Sequence, residues 1–125
     1  MRRVAPTGWF IRGGNEWNAD NAVTGETSNG QSANSVGSRP TGASWVGALD
    51  MSGNVWEWVS SQYQPYPYSA ADDREDVQAD ARRVVRGGSW NDLLDFARAS
   101  FRVDLSPSDR YYFFGFRVSR PLQNH

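Results

Sequence analysis

The chain has 125 residues, a formal net charge of −1, no cysteine and one histidine, His125. That length supports one domain with its own core rather than two, and the balanced charge excludes a whole-molecule attraction to nucleic acid or anionic lipid. The lack of cysteine excludes disulfides, thiolate nucleophiles and thiolate metal sites, and six Trp with twelve Gly suit a loop-rich fold packed around large aromatics, not a helical bundle.

Residues 1–43 are rich in Gly, Asn, Ser and Thr, as in Gly13-Gly14-Asn15 and Thr24-Gly25-Glu26-Thr27-Ser28-Asn29-Gly30. Such residues favour turns and defeat regular periodicity. Trp9, Phe10, Trp17 and Trp45 are the expected anchors, so ordered loop is predicted here over flexible linker. Met1-Arg2-Arg3-Val4-Ala5-Pro6 has a basic tip without an apolar stretch behind it and does not read as a signal peptide. No apolar run in the chain reaches the ~18 residues of a membrane-spanning helix.

Further along, Ser52-Gly53 marks a turn. Val55 to Val59 then alternates, with Trp56 and Trp58 on one face and Val55, Glu57 and Val59 on the other, which is strand spacing. Residues 61–83 pass from Tyr and Pro into Asp72-Asp73-Arg74-Glu75-Asp76 and predict an exposed loop with a short helical turn, its charge run a solvated face. Arg83-Val84-Val85-Arg86 predicts a strand that stops at Gly87-Gly88. Residues 92–101 predict a short helix, with Asp92 as its cap and Leu93, Phe96, Ala97 and Phe101 near helical spacing. Ser106-Pro107-Ser108-Asp109 is a turn. Phe116 and Val118 alternate in an expected closing strand before Pro121.

Several of these residues make physical sense as scaffold. Gly53 permits a backbone conformation that a Cβ opposes. Trp56 and Trp58 each bring a large area to bury. Arg86 and Arg117 have Glu57 and Asp50 as candidate partners.

Asp50-Met51-Ser52-Gly53-Asn54-Val55-Trp56-Glu57-Trp58, Arg83-Val84-Val85-Arg86-Gly87-Gly88-Ser89-Trp90 and Gly115-Phe116-Arg117-Val118 occur in the order in which similar segments occur in one family. The chain resembles the sulfatase-modifying-factor family, founded on formylglycine-generating enzymes. Val36-Gly37-Ser38-Arg39-Pro40 is similar to a fourth family segment, and the resemblance runs from about residue 30 to about residue 120. It implies a single α+β domain over 1–125 with a C-type-lectin-like fold: a small twisted antiparallel sheet, few short helices and much ordered loop.

The enzymatic members use a pair of cysteines between the Gly-Gly-Ser-Trp-like and Gly-Phe-Arg segments. The corresponding interval here, 91–114, contains no Cys. Its hydroxyls, such as Ser100 and the adjacent Ser89, do not bind soft metals or carry thiol redox chemistry. Related sulfoxide synthases hold iron on several histidines, which one terminal His125 does not match. The expectation is therefore a protein that is not an enzyme. Structural calcium occurs in the family, and the resemblance implies Asn54 with neighbouring carbonyls as hard oxygen donors; Asn is equally a common turn former. No other cofactor is expected.

A second resemblance is to the variable proteins of diversity-generating retroelements, which use the same fold. Their variable region lies between the same two segments. Template adenines become any base, so AAY codons become NNY codons, which cannot encode Lys, Glu, Gln, Met or Trp. Residues 91–114 contain none of these five. The run Tyr111-Tyr112-Phe113-Phe114 is a recognition candidate, because alternate strand side chains face opposite ways and four aromatics cannot all enter one core. Exposed Tyr and Phe give rigid contact area at low entropic cost. The competing reading is a strand buried on both faces.

The resemblance implies a ligand-binding variable protein, with Asp92, Leu93, Leu94, Asp95, Phe96, Phe101, Val103, Asp104, Leu105, Ser108, Tyr111, Tyr112, Phe113 and Phe114 as its candidate contact positions. Ala97, Arg98, Ala99, Ser100, Arg102, Pro107 and Arg110 read as fixed scaffold, and Leu93 and Phe101 also fit the core of the expected helix. The expected partner is a protein or another cell-surface molecule, with no nucleic acid and no membrane span; display on a virion or cell surface is compatible with this. The alternative is a catalytically inactive or degenerate enzyme of the same family.

Overall fold

The computed structural model describes residues 16–28 and 30–120. The alternating Trp and Val residues form the first strand, β1, Trp56–Gln62. The β-branched pair Val84 and Val85 favours a pleated, half-buried surface and forms β2, Arg83–Arg86, over the expected residues. β3 is Arg102–Leu105, and β4 is the short Phe114–Gly115. The sheet order is β3-β2-β1-β4. β2 runs antiparallel to both β1 and β3, but β4 runs parallel to β1, so the sheet is mixed. Single 3-10 turns at Ala19–Asn21, Pro40–Gly42 and Leu94–Ala97 supply the helical content of the described residues. The class is α+β.

Register places Trp58 opposite Val85, and Glu57 opposite Arg86. One sheet face therefore carries Trp56, Trp58 and Val85, and the other carries Glu57 and Arg86. Ala22, Val23, Trp56, Val84, Val85 and Ala97 are the buried apolar residues. Two glycines let the surrounding loops close on them. Gly53 has φ +78°, and a Cβ there would sit 2.3 Å from the Val23 carbonyl oxygen. A Cβ on Gly88 would come within 3.0 Å of the Phe96 and Ala97 backbone.

Several sequence expectations are corrected. Residues 92–101 do not form a capped helix: Leu94–Ala97 is one 3-10 turn preceded by Leu93, with no side-chain cap. Asp92 instead points its carboxylate at Trp56 and Ser89. The alternation of Arg102, Val103, Asp104 and Leu105 carries the next residues into β3. The closing strand at Phe116 and Val118 is absent; both side chains are exposed. Arg117 between them turns back onto Glu57 and the carbonyls of Leu49 and Asp50.

Trp45 is 54% exposed and Trp17 37%, so neither is a buried anchor of the first loops, while Trp9 and Phe10 lie outside the described residues. Polar clasps do that work. The Asn54 carboxamide accepts from the Asn34 N–H at 2.9 Å and donates to the Asn34 carbonyl at 3.3 Å. Asp50 accepts from the Gly37 N–H at 2.7 Å. The charged run at 72–76 is likewise not a plain solvated face. Arg74 is only 4% exposed, paired with Asp72 and lying 5.0 Å over the Tyr68 ring.

Candidate ligand-binding site

Residues 91–101 pack against β1. The Trp56 indole N–H donates to Asp92 Oδ2 at 2.7 Å, and the Ser89 hydroxyl donates to the same oxygen. The Asp92 carbonyl accepts from the Gly25 N–H at 2.8 Å. Phe96 and Phe101 lie 6.5 and 6.0 Å from the Trp56 ring and meet each other edge to face at 4.9 Å. Asp92, Phe96 and Phe101 thus tie this segment to the core. Leu93 and Asp95 point outward, and Leu94 is half-buried. The Leu94 N–H donates to Glu26 at 3.1 Å. Burial acts to raise the Glu26 pKa, but hydrogen bonds from the Thr24 hydroxyl and the Leu94 N–H outweigh it and hold the carboxyl below its ordinary value.

Further along, Val103 and Leu105 are half-buried in β3, and Asp104 pairs with Arg82. Ser108 is exposed and shares a hydrogen bond with Ser106. These positions lie along an edge strand and its following turn, apart from the aromatic run.

Tyr111 to Phe114 form a turn, closed by the Phe114 N–H on the Tyr111 carbonyl at 3.2 Å. The Trp56 N–H donates to the Phe113 carbonyl at 2.8 Å and fixes this turn beside β1. Tyr111 stacks on Phe113 at 5.4 Å and meets Phe114 edge to face at 5.2 Å. Phe114 in turn packs on Trp58 at 5.9 Å. The run is therefore neither a two-sided buried strand nor fully exposed. Phe113 and Phe114 are half-buried, Tyr111 is 53% exposed and Tyr112 is 97% exposed.

These rings border an open groove of about 840 Å³, whose walls include Trp58, Pro107, Arg110, Tyr111, Tyr112 and Phe114, with exposed Phe116 beside them. Arg110 is held at the rim by hydrogen bonds to the Pro107 and Asp109 carbonyls. The lining is mainly aromatic with a polar rim, which suits contact with a ligand surface. The sequence reading picked out Tyr111, Tyr112 and Phe114 but placed Trp58, Pro107, Arg110 and Phe116 with the scaffold. Their convergence depends on the parallel β1–β4 pairing, which no local pattern signals.

Among the described residues, no group of three His, Cys, Asp or Glu side chains comes together as a metal site. Asn54, the expected calcium ligand, has both carboxamide atoms on the Asn34 backbone. That geometry is a loop clasp between Asn54 and Asn34.

A family model described as a sulfatase-modifying factor enzyme 1-like domain matches residues 7–122. The chain belongs to this family. Its relatives include a hercynine oxygenase of Mycolicibacterium thermoresistibile, 40% identical over 92 residues, which cover 67% of this chain and 21% of that protein. Another is the inactive C-alpha-formylglycine-generating enzyme 2 of Bos taurus, 41% identical over 78 residues, covering 58% of this chain and 22% of that protein. Among solved structures, Treponema denticola variable protein 1 is similar at a TM-score of 0.62 and 28% identity, over 78% of this chain and 34% of that chain. PvdO from Pseudomonas aeruginosa is similar at a TM-score of 0.59 and 28% identity, over 79% and 38%. The chain spans about a fifth of the length of the curated relatives it matches. The sequence relatives thus include an enzyme and an inactive protein, and the similar structures include a variable protein, so membership alone assigns no chemistry.

Proposed function

We propose that this domain is a ligand-binding variable protein of the diversity-generating-retroelement type and that it catalyses nothing. The observation that carries this reading is the aromatic groove at the end of the 91–114 interval, where Tyr111 and Tyr112 stand exposed beside Trp58 and Phe114. The similarity to Treponema denticola variable protein 1 and the absence of Lys, Glu, Gln, Met and Trp from 91–114 support it. A protein or cell-surface molecule is the partner class that best fits a wide aromatic face. The residue content supports the non-catalytic part of this reading: the interval holds no cysteine for thiol chemistry, and the single histidine is His125.

Within 91–114 the reading divides the positions by their contacts. Leu93, Asp95, Ser108 and Tyr112 can change with little effect on the core, since each is exposed, whereas Tyr111 also packs on Phe113 and Phe114. Asp92, Phe96 and Phe101 contact Trp56, so changing them changes the scaffold.

The test is the DNA flanking the gene. An adenine-rich near-copy of the codons for 91–114, beside a reverse transcriptase gene, is the expected result, and its mismatched codons name the binding positions. Absence of any such copy overturns the reading. The similarity to the inactive formylglycine-generating enzyme 2 then favours a catalytically inactive relative with a fixed partner.

A further inference from the structure

The sheet face opposite Trp56 and Trp58 carries a row of charged residues. Glu57 of β1 lies opposite Arg86 of β2, and Arg86 lies opposite Arg102 of β3. Two carboxylates share this face, and both are engaged by other arginines: Glu57 by Arg117, and Asp104 by Arg82. Arg86 and Arg102 therefore have only neutral partners among the described residues. Arg86 donates to the Ala99 carbonyl at 3.1 Å and to the Tyr66 hydroxyl at 2.6 Å. Arg102 lies 4.3 Å from the Tyr63 ring centre and 4.0 Å from that of Tyr66, and its guanidinium makes no hydrogen bond to a described residue. Tyr66 thus touches both arginines, through its hydroxyl and through its ring. Next to them a depression of about 410 Å³ is lined by Arg86, Arg98 and Arg117 around Gly87, with Trp58 and the Arg117-paired Glu57 also in its wall.

We propose that this arginine face is a second binding site, separate from the aromatic groove, that takes an oxyanion group of phosphate, sulfate or carboxylate type. A guanidinium packed on aromatic rings is held in place, and its N–H edges stay available to a forked acceptor. Arg86 and Arg102 are neighbours across β2 and β3, the carboxylates of their face are held by Arg117 and Arg82, and an added oxyanion relieves the repulsion between the two cations. The site stands on the pairing of charges across the sheet and does not depend on the aromatic groove or on diversification.

The experiment is a titration of the 15N-labelled protein with sodium phosphate, sodium sulfate and sodium acetate, each against sodium chloride at equal ionic strength. The Arg86 and Arg102 Nε–H signals are followed. Saturable shifts of these signals with an oxyanion are expected, and the three arms identify which oxyanion it is. Removing one charge-assisted donor by Arg102→Gln weakens binding about tenfold. Arg102 makes no side-chain hydrogen bond to a described residue, so this variant keeps the backbone pairing of β2 and β3; Arg86→Gln provides a second one. Shifts that track chloride, or an affinity unchanged in both variants, overturn the proposal. The wild-type signals decide the outcome even if a variant does not fold.

Discussion

The Trp56 indole N–H and the Asp92 carboxylate meet at 2.7 Å, and the Ser89 hydroxyl shares the same carboxylate oxygen. Trp56 is buried, so its N–H has no bulk water as an alternative acceptor. Asp92→Ala leaves that donor unpaired and costs about 1–3 kcal/mol of stability. Asp92→Asn keeps an acceptor and loses less. Urea unfolding is expected to rank wild type above Asn and Asn above Ala. An Ala variant as stable as wild type would return Asp92 to the freely variable positions.

Stability can also be separated from recognition within the aromatic run. Tyr112 is almost fully exposed, and Tyr112→Ala changes stability by no more than about 0.5 kcal/mol. Phe114 packs on Trp58, Tyr111 and Phe113, so Phe114→Ala costs more, roughly 2 kcal/mol for a half-buried ring. Denaturant midpoints of the two variants check the contrast. Tyr112→Ala then becomes the clean probe of ligand binding, because its loss removes groove wall and leaves the packing in place.

A comparison of two glycines isolates the cost of the loop closure at Gly53. Gly47 and Gly53 both have positive φ, +82° and +78°. A Cβ on Gly47 meets nothing within 4 Å, whereas on Gly53 it meets the Val23 oxygen at 2.3 Å. Gly47→Ala therefore pays only for the left-handed backbone, about 1 kcal/mol. Gly53→Ala pays for that and for displacing the Val23 segment, roughly 3 kcal/mol or more. Thermal unfolding of both reads the difference, and equal losses would mean that the Val23 segment moves away freely.

The sequence made β2 legible to the residue, because two adjacent valines between arginines and a Gly-Gly stop leave no competing pattern. The start of β1 was legible from its alternation. β3 was hidden because Phe96 and Phe101 suggest helical spacing, while the stronger constraint is their shared contact with Trp56, more than thirty residues earlier. The tyrosines and phenylalanines of the groove were visible as a run too aromatic for one core. Its remaining walls were not, since Trp58 and Phe116 reach it only through the β1–β4 pairing. The arginine face was equally silent. Which of thirteen arginines keeps a carboxylate partner is settled by register across three strands, and no local segment holds that information.

The clasp of the 61–82 loop is expected to respond to acid. Glu75 accepts from the Ser61 and Ser60 hydroxyls, with Tyr68 at 3.4 Å, and these bonds hold its carboxyl below the ordinary 4.5. The hydrogen bond from Arg74 holds Asp72 below its ordinary 3.8. A carboxylate with a depressed folded-state pKa contributes stability that is complete above its unfolded value and is lost as pH falls through the folded one. Local stability of the loop is therefore expected to be flat from neutral pH down to about 5 and to decline below 4.5. Hydrogen-exchange protection factors for 61–82, corrected for intrinsic rates, measure this. The Ser60→Ala/Ser61→Ala variant removes the donors to Glu75, so its loop starts less protected at neutral pH and changes less on acidification. A wild-type loop whose protection does not fall with acid, or a double variant that follows the wild-type profile, would mean that the Glu75 clasp does not hold the loop in solution.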